Sequence, residues 1–250
     1  SSYELKLKRG SELKLSINSD GALFKINGQG FVKSDKIKFQ TIKETDFSLS
    51  EIDNTLKFSG NADLEIGSSK FQNVEKAEIK FDSDGKILST EFFGNEKSTI
   101  KINDKYSFLL KKAGWGKFDL KTKIIEAKNC EFNFGILNHI KSDNLKVYLN
   151  DNEEVLRASS IGPTELRYKI DKIISKDNLD IFFEEQNIYE SKVNAISFYE
   201  NNIKIKGDLT YKKTILLTYQ GLSKDAYSEI NRETNLFDIK TGSVSINNGN

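Results

Sequence analysis

The chain has 250 residues, with 38 Lys and Arg against 37 Asp and Glu, so the formal charge of +1 leaves no basic excess to neutralise a phosphate backbone. Nucleic acid is therefore not an expected partner, and charges spread along the chain describe the solvated faces of alternating strands rather than a binding tail. One cysteine excludes an intrachain disulfide, and no apolar run approaches the roughly 20 residues a spanning helix needs.

In chain order the apolar residues recur with the two-residue period of strands. Leu5 and Leu7, then Leu13, Leu15 and Ile17, then Leu23, Phe24 and Ile26, and Ile37 and Phe39 open the series. It continues through Phe47-Leu49, Leu56-Phe58, Leu64-Ile66, Ala77-Ile79-Phe81, Ile100-Ile102, Phe118-Leu120, Phe132-Phe134 and Leu145-Val147-Leu149. Leu166-Tyr168-Ile170, Ile196-Phe198, Ile203-Ile205 and Val244-Ile246 complete it, each stretch short. Asp20-Gly21, Asn27-Gly28 and Asp84-Gly85 supply the positive φ of tight hairpin turns, and Asn18-Ser19-Asp20-Gly21 closely copies Asp82-Ser83-Asp84-Gly85. Ser223 to Arg232 is the expected helix, with Ser223 as cap and Leu222, Ala226 and Ile230 on one face.

The pattern predicts an all-β fold: an elongated, stacked antiparallel β jelly roll or a solenoid-like meander with at most one or two short helices. Residues 1–250 read as one elongated β domain, with Gly162-Pro163 marking a candidate subdivision near 160. Stacked layers leave end strands with open backbone groups, so the ends are expected to be covered or used for end-to-end association. The segment after Ser223 is the expected cover for one end.

A loose motif recurs in Ile26-Asn27-Gly28, Phe58-Ser59-Gly60, Phe92-Phe93-Gly94 and Ile205-Lys206-Gly207, where an apolar residue and a spacer precede glycine. Glycine permits the bulge or sharp bend that a layer's corner needs.

The run Asn54-Thr55-Leu56-Lys57-Phe58-Ser59-Gly60-Asn61-Ala62-Asp63-Leu64-Glu65-Ile66, followed by Ala77-Glu78-Ile79-Lys80-Phe81, resembles the OstA-like proteins. That family forms the periplasmic bridge for lipopolysaccharide transport. The resemblance covers the first half of the chain and implies a stacked, open-ended β jelly roll with an apolar inner groove that carries lipid.

Chemistry-bearing residues are sparse. His139 is the sole histidine, so it alone could serve as the base of a Ser-His-Asp or Cys-His arrangement, and no family signature surrounds Cys130. Cys130 reads as a small buried side chain on a strand. Two such residues cannot furnish a structural zinc site, and no cofactor is expected. Asn18, Asp20, Asp82 and Asp84 offer oxygens beside glycine but lack the further ligands of a calcium loop. Glu153-Glu154 and Glu184-Glu185 bring the paired acids of glycosidases to mind, although neighbours on a strand point to opposite faces.

Trp115, between Gly114 and Gly116, is the one candidate ligand-binding residue, its indole offered as a platform for sugar rings. The expected function is a non-enzymatic extracytoplasmic binding or structural scaffold of the cell envelope or surface. Its expected partners are a lipid or glycan ligand and other envelope or surface proteins. The rival expectations are a lipid-carrying bridge, which needs an unfilled interior, and a carbohydrate-active enzyme, which needs convergent acids.

Overall fold

In the computed structural model, which describes residues 2–213 and 217–246, every regular element is a β-strand. The chain forms two compact units, one of residues 1–122 with 129–132 and one of residues 123–128 with 133–250.

The first unit is built from β1 (Glu4–Leu7), β2 (Glu12–Asn18), β3 (Gly21–Gly28), β4 (Gly30–Lys33), β5 (Ile37–Thr41), β6 (Thr45–Ser50), β7 (Thr55–Ile66), β8 (Ser69–Phe81), β9 (Ile87–Gly94), β10 (Thr99–Lys101) and β11 (Tyr106–Asp119). Its pairings resolve into two antiparallel sheets. Sheet A runs β2, β3, β6, the first half of β7, the second half of β8, β9 and the second half of β11. Sheet B runs β1, β4, β5, the second half of β7, the first half of β8, β10 and the first half of β11. The chain makes a hairpin in one sheet, crosses a corner, makes a hairpin in the other and returns.

The three longest of these strands cross the corner without ending. β7, β8 and β11 contain 12, 13 and 14 residues, so the stretches that look short in sequence are halves of bent strands. The bends carry residues of positive φ: Gly60 (117°), Asn73 (51°) and Ala113 (53°). At Gly60 an added Cβ would lie 2.4 Å from the carbonyl oxygen of Glu44 and 2.8 Å from Thr45 Cα, so the corner needs both the conformation and the missing side chain. Gly28 and Gly94 also mark passages from sheet A to sheet B, and the motif glycines thus occupy one structural role within this unit. The step from Gly28 to Gly60 is 32 residues and that from Gly60 to Gly94 is 34, one hairpin in each sheet. Asn27-Gly28 is therefore a corner between sheets and not a hairpin turn, whereas Ser19-Asp20 does close the β2–β3 hairpin.

Corners also free backbone carbonyls, and buried hydroxyls satisfy them. Ser98 Oγ donates to Asn73 O at 2.6 Å, and Thr45 Oγ1 donates to Lys43 O at 2.9 Å.

The inner faces of A and B meet over a core dominated by phenylalanine. Phe39, Phe71, Phe92 and Phe108 are fully buried. Rings from opposite sheets touch, with Phe39 and Phe47 centroids 4.1 Å apart, Phe39 and Phe58 5.4 Å, and Phe92 and Phe108 5.0 Å. These contacts leave no lane for an acyl chain between the sheets at those levels.

β12 (Ile124–Phe134) contributes residues to both units and holds Cys130, which is buried and whose Sγ donates to Trp115 O at 3.2 Å. The second unit adds β13 (His139–Leu149), β14 (Val155–Tyr168), β15 (Asp171–Ser175), β16 (Leu179–Phe182), β17 (Asn194–Tyr199), β18 (Asn202–Lys206), β19 (Leu209–Lys213), β20 (Leu217–Gln220), β21 (Tyr227–Asn231), β22 (Leu236–Thr241) and β23 (Ser243–Ile246). Sheet C joins residues 144–149 of β13 to the first half of β14, β16, β17, β18, β21 and β22. Sheet D joins residues 139–142 of β13 to the second half of β14, β15, β19, β20 and β23. Gly162-Pro163 lies inside β14, where the strand bends from C to D.

One pairing in the molecule's described strands breaks the antiparallel rule. β16 and β17 run parallel, because residues 183–193 carry the chain from the end of β16 back to its start before β17 begins. Sheet C thereby gains a strand that sheet D lacks. The step from Gly162 to Gly207 is accordingly 45 residues, longer than the two steps in the first unit.

The expected helix over Ser223–Arg232 is absent. Residues 223–226 form a turn, with Ala226 N donating to Ser223 O at 3.1 Å, and β21 follows, paired with β18 and β22. A ten-residue segment gains little from helical hydrogen bonds alone, while Ser228 and Ile230 alternate into the core at 0% and 1% exposure. Leu222, the proposed first residue of the apolar face, is exposed. This segment is thus a strand within sheet C rather than a helical cover.

Candidate functional site

The outer face of sheet A carries the most organised surface. Because side chains alternate, each strand places every second residue there, and antiparallel registers align them into rows across the sheet. One row reads Lys14, Lys25, Ser48, Lys57, Glu78, Glu91 and Lys117. The next reads Glu12, Asn27, Asp46, Ser59, Lys76, Phe93 and Trp115. The first five members of both rows line a groove of about 520 Å³ that rests on the strands at Ile26, Phe47, Phe58 and Ala77, whose side chains point the other way, into the interior.

The groove wall is held by short polar contacts. Lys57 Nζ lies 2.8 Å from Glu78 Oε1, and Asn27 Nδ2 donates to Asp46 Oδ1 at 2.5 Å. The second row leads directly from Lys76 to two aromatic side chains. Lys76 Nζ stands 5.6 Å from the Phe93 ring centre, Phe93 is 37% exposed, and Trp115 is its cross-strand partner. Trp115 is half-buried, and its Nε1 donates to Glu91 Oε1 at 2.8 Å, which fixes the indole beside Phe93.

Trp115 therefore lies on the outer face, as an aromatic platform requires, but its glycine neighbours do a different job from exposing it. Gly114 and Gly116 face the interior, and a Cβ on Gly116 would stand 2.2 Å from Phe92 Cζ. The glycine makes room for the Phe92 ring. Trp115 would face outward by strand alternation whatever its neighbours were. The other groove residues were missed because each is an ordinary polar strand residue. Only the register, unreadable from one sequence, makes them a row.

The remaining sequence candidates lie elsewhere. His139 is on β13 with Nε2 3.7 Å from Glu165 Oε1. Burial raises the affinity of Glu165 for a proton, but Lys172, Lys141 and His139 together outweigh it and hold this carboxyl below its ordinary range. Asn18 Oδ1 accepts from the amides of Asp20 and Gly21 at 2.9 and 3.1 Å, and Asp82 Oδ1 accepts from those of Asp84 and Lys86, both at 2.9 Å. These oxygens shape turns. Glu153-Glu154 and Glu184-Glu185 lie in loops rather than strands, with Glu185 3.5 Å from Lys204. Among the described residues no group of three or more His, Cys, Asp or Glu side chains is arranged to hold a metal ion, and no helix is long and apolar enough to cross a membrane.

The fold and this surface define an all-β protein of bent strands, with two facing sheets in each unit and a polar groove that ends on an aromatic pair. No family model matches the chain, and no curated protein matches it at a significant level.

Proposed function

We propose that the chain is a non-enzymatic, extracytoplasmic binding scaffold of the cell envelope or surface, whose ligand is a glycan laid along the outer face of sheet A. The observation that carries this reading is the row from Asp46 through Lys76 to Phe93 and Trp115. Mixed carboxylates, ammonium groups and hydroxyls suit sugar hydroxyls, which both donate and accept, and two aromatic rings suit the apolar face of a pyranose. Seven strands spaced about 4.8 Å apart make a lane about 29 Å long, enough for an extended polymer.

The lipid-carrying bridge implied by the OstA-like resemblance needs the space between the sheets. Phenylalanine rings from both sheets occupy that space in the first unit, which favours the outer face as the binding surface. A carbohydrate-active enzyme needs two acids disposed about one bond. In the groove, Glu78 is paired with Lys57 and Asp46 with Asn27, as befits holding a ligand.

Trp115 is the chain's only tryptophan, so emission excited selectively at the indole, beyond the absorption of the nine tyrosines, reports this site alone. Titration with a panel of neutral and acidic oligosaccharides should shift or quench the emission saturably for at least one, and Trp115→Ala should weaken binding of that ligand about 10-fold or more, measured by calorimetry. Emission unchanged by the whole panel, or calorimetric affinity untouched by Trp115→Ala, would overturn the reading.

A further inference from the structure

The second unit's one departure from regular stacking builds a pocket. Residues 183–193, which create the parallel β16–β17 pair, fold over the outer face of sheet C at the end of β18. Ile188 anchors this loop, buried with Ala195 and Tyr227 and packed against Phe182. Between the loop and the β20–β21 connection lies a cavity of about 520 Å³, lined by Tyr189, Glu190, Lys192, Lys206, Lys224 and Asp225, with Ser191.

Lys206 is the unusual member. Lysine is rarely buried without a countercharge, because desolvating an ammonium is costly. Lys206 is 7% exposed, and among the described residues its Nζ has one partner, the carbonyl of Ser191 at 2.6 Å. An ammonium has three N–H donors, so capacity remains for two further acceptors in the cavity it lines. Lys192 and Lys224, both exposed, stand on the two loops around it. Three ammonium groups against the carboxylates of Glu190 and Asp225 leave the pocket net positive. Those two carboxylates accept hydrogen bonds from hydroxyls. Tyr189 supplies a ring that is 60% exposed and held edge-on against Tyr227, with centroids 5.4 Å apart.

We infer that this pocket binds an acidic sugar, with the sugar's anionic group on Lys206, its hydroxyls on Glu190 and Asp225, and its ring against Tyr189. A buried unpaired cation selects the anion, and the carboxylates and ring select the polyhydroxylated body that carries it. The pocket is separate from the Trp115 surface, and either can fail without the other.

The test is calorimetry on the full chain at fixed ionic strength with three probes: glucuronate, acetate and glucose. Acetate presents the anion alone and glucose the body alone. Glucuronate should bind at least 10-fold more tightly than either, and Lys206→Met should weaken it about 10- to 100-fold, the range for losing a charged hydrogen bond. Circular dichroism should show that the variant retains its β signal. Lys192→Ala and Tyr189→Ala, both at exposed positions, should each weaken glucuronate several-fold, and these variants decide the matter if Lys206→Met does not fold. Glucuronate binding no tighter than acetate or glucose, or affinity indifferent to all three substitutions, would overturn the inference.

Discussion

Gly116→Ala tests whether the interior of the first unit is filled as described. The new methyl would stand 2.2 Å from Phe92 Cζ, where ordinary contact begins near 3.4 Å, so the ring must move by more than 1 Å. Phe92 is 0% exposed, with Phe108 5.0 Å and Phe71 6.3 Å away between ring centres, so it has no vacant space to enter. Overpacking of this kind costs about 1–3 kcal/mol. Phe92→Ala alone should cost about 3–5 kcal/mol through lost burial and the cavity left behind. In the Phe92→Ala background the clash disappears, and Gly116→Ala should become neutral or stabilising by up to about 1 kcal/mol, because alanine loses less backbone freedom than glycine. Equilibrium urea unfolding of the four proteins closes the cycle, with an expected coupling of about 1–4 kcal/mol. If Gly116→Ala is harmless in the wild-type background, Phe92 does not pack over it, and the interior is not filled at that level.

In the second unit, Asp171 is fully buried with Arg232 Nη2 at 2.7 Å from Oδ2 and the Tyr211 hydroxyl donating to Oδ1 at 2.7 Å. Arg232→Met leaves that carboxylate without its cation and should cost about 3–5 kcal/mol in denaturant unfolding, while Asp171→Asn with Arg232→Met should recover a substantial part; a harmless single substitution would show that the pair is solvated. Gly207 has φ 111° and a Cβ there would lie 2.1 Å from Asn194 Oδ1, so Gly207→Ala should lower stability by about 1–3 kcal/mol, and an unchanged midpoint would remove Asn194 from the corner. Burial pushes the Tyr219 phenol up to about 12, and burial with an adjacent carboxylate raises Tyr211 and Tyr227 as well. A raised acid favours the protonated folded state, so this contribution is intact below pH 10 and is lost as pH climbs through about 12. Absorbance at alkaline pH should show these phenols ionising only together with unfolding, and a full complement of phenolates in the folded chain would refute their burial.

The strand pattern was readable because half-buried strands impose a period of two, as Ala77, Ile79 and Phe81 show, although in β2 the same period leaves Leu15 and Ile17 exposed. Strand length was not, since Leu56-Phe58 and Leu64-Ile66 belong to one strand bent at Gly60, and a bend and a turn share the same glycine signal. The Ser223–Arg232 segment was misread because Leu222, Ala226 and Ile230 have helical spacing, whereas pairing with β18, some 25 residues earlier, decides its structure. Trp115 was found through its glycines, and its outward position owes nothing to them. The groove of Lys25, Asp46, Lys57 and Lys76 and the pocket around Lys206 depend on register and on a crossover loop, which single-sequence periodicity does not encode.

From β5 to β11 the first unit's interior is filled by its own rings, Phe39 against Phe47 and Phe92 against Phe108, which leaves its outer face to meet ligands. Aromatic-resolved nuclear magnetic resonance during titration with a short-chain phospholipid addresses this directly. The ring signals of Phe39, Phe71, Phe92 and Phe108 should stay in place throughout, since those rings are already packed against one another or against neighbours from the facing sheet. Saturable shifts of these four rings, at one lipid per chain, would mean that the sheets part around an acyl chain and would contradict a filled interior.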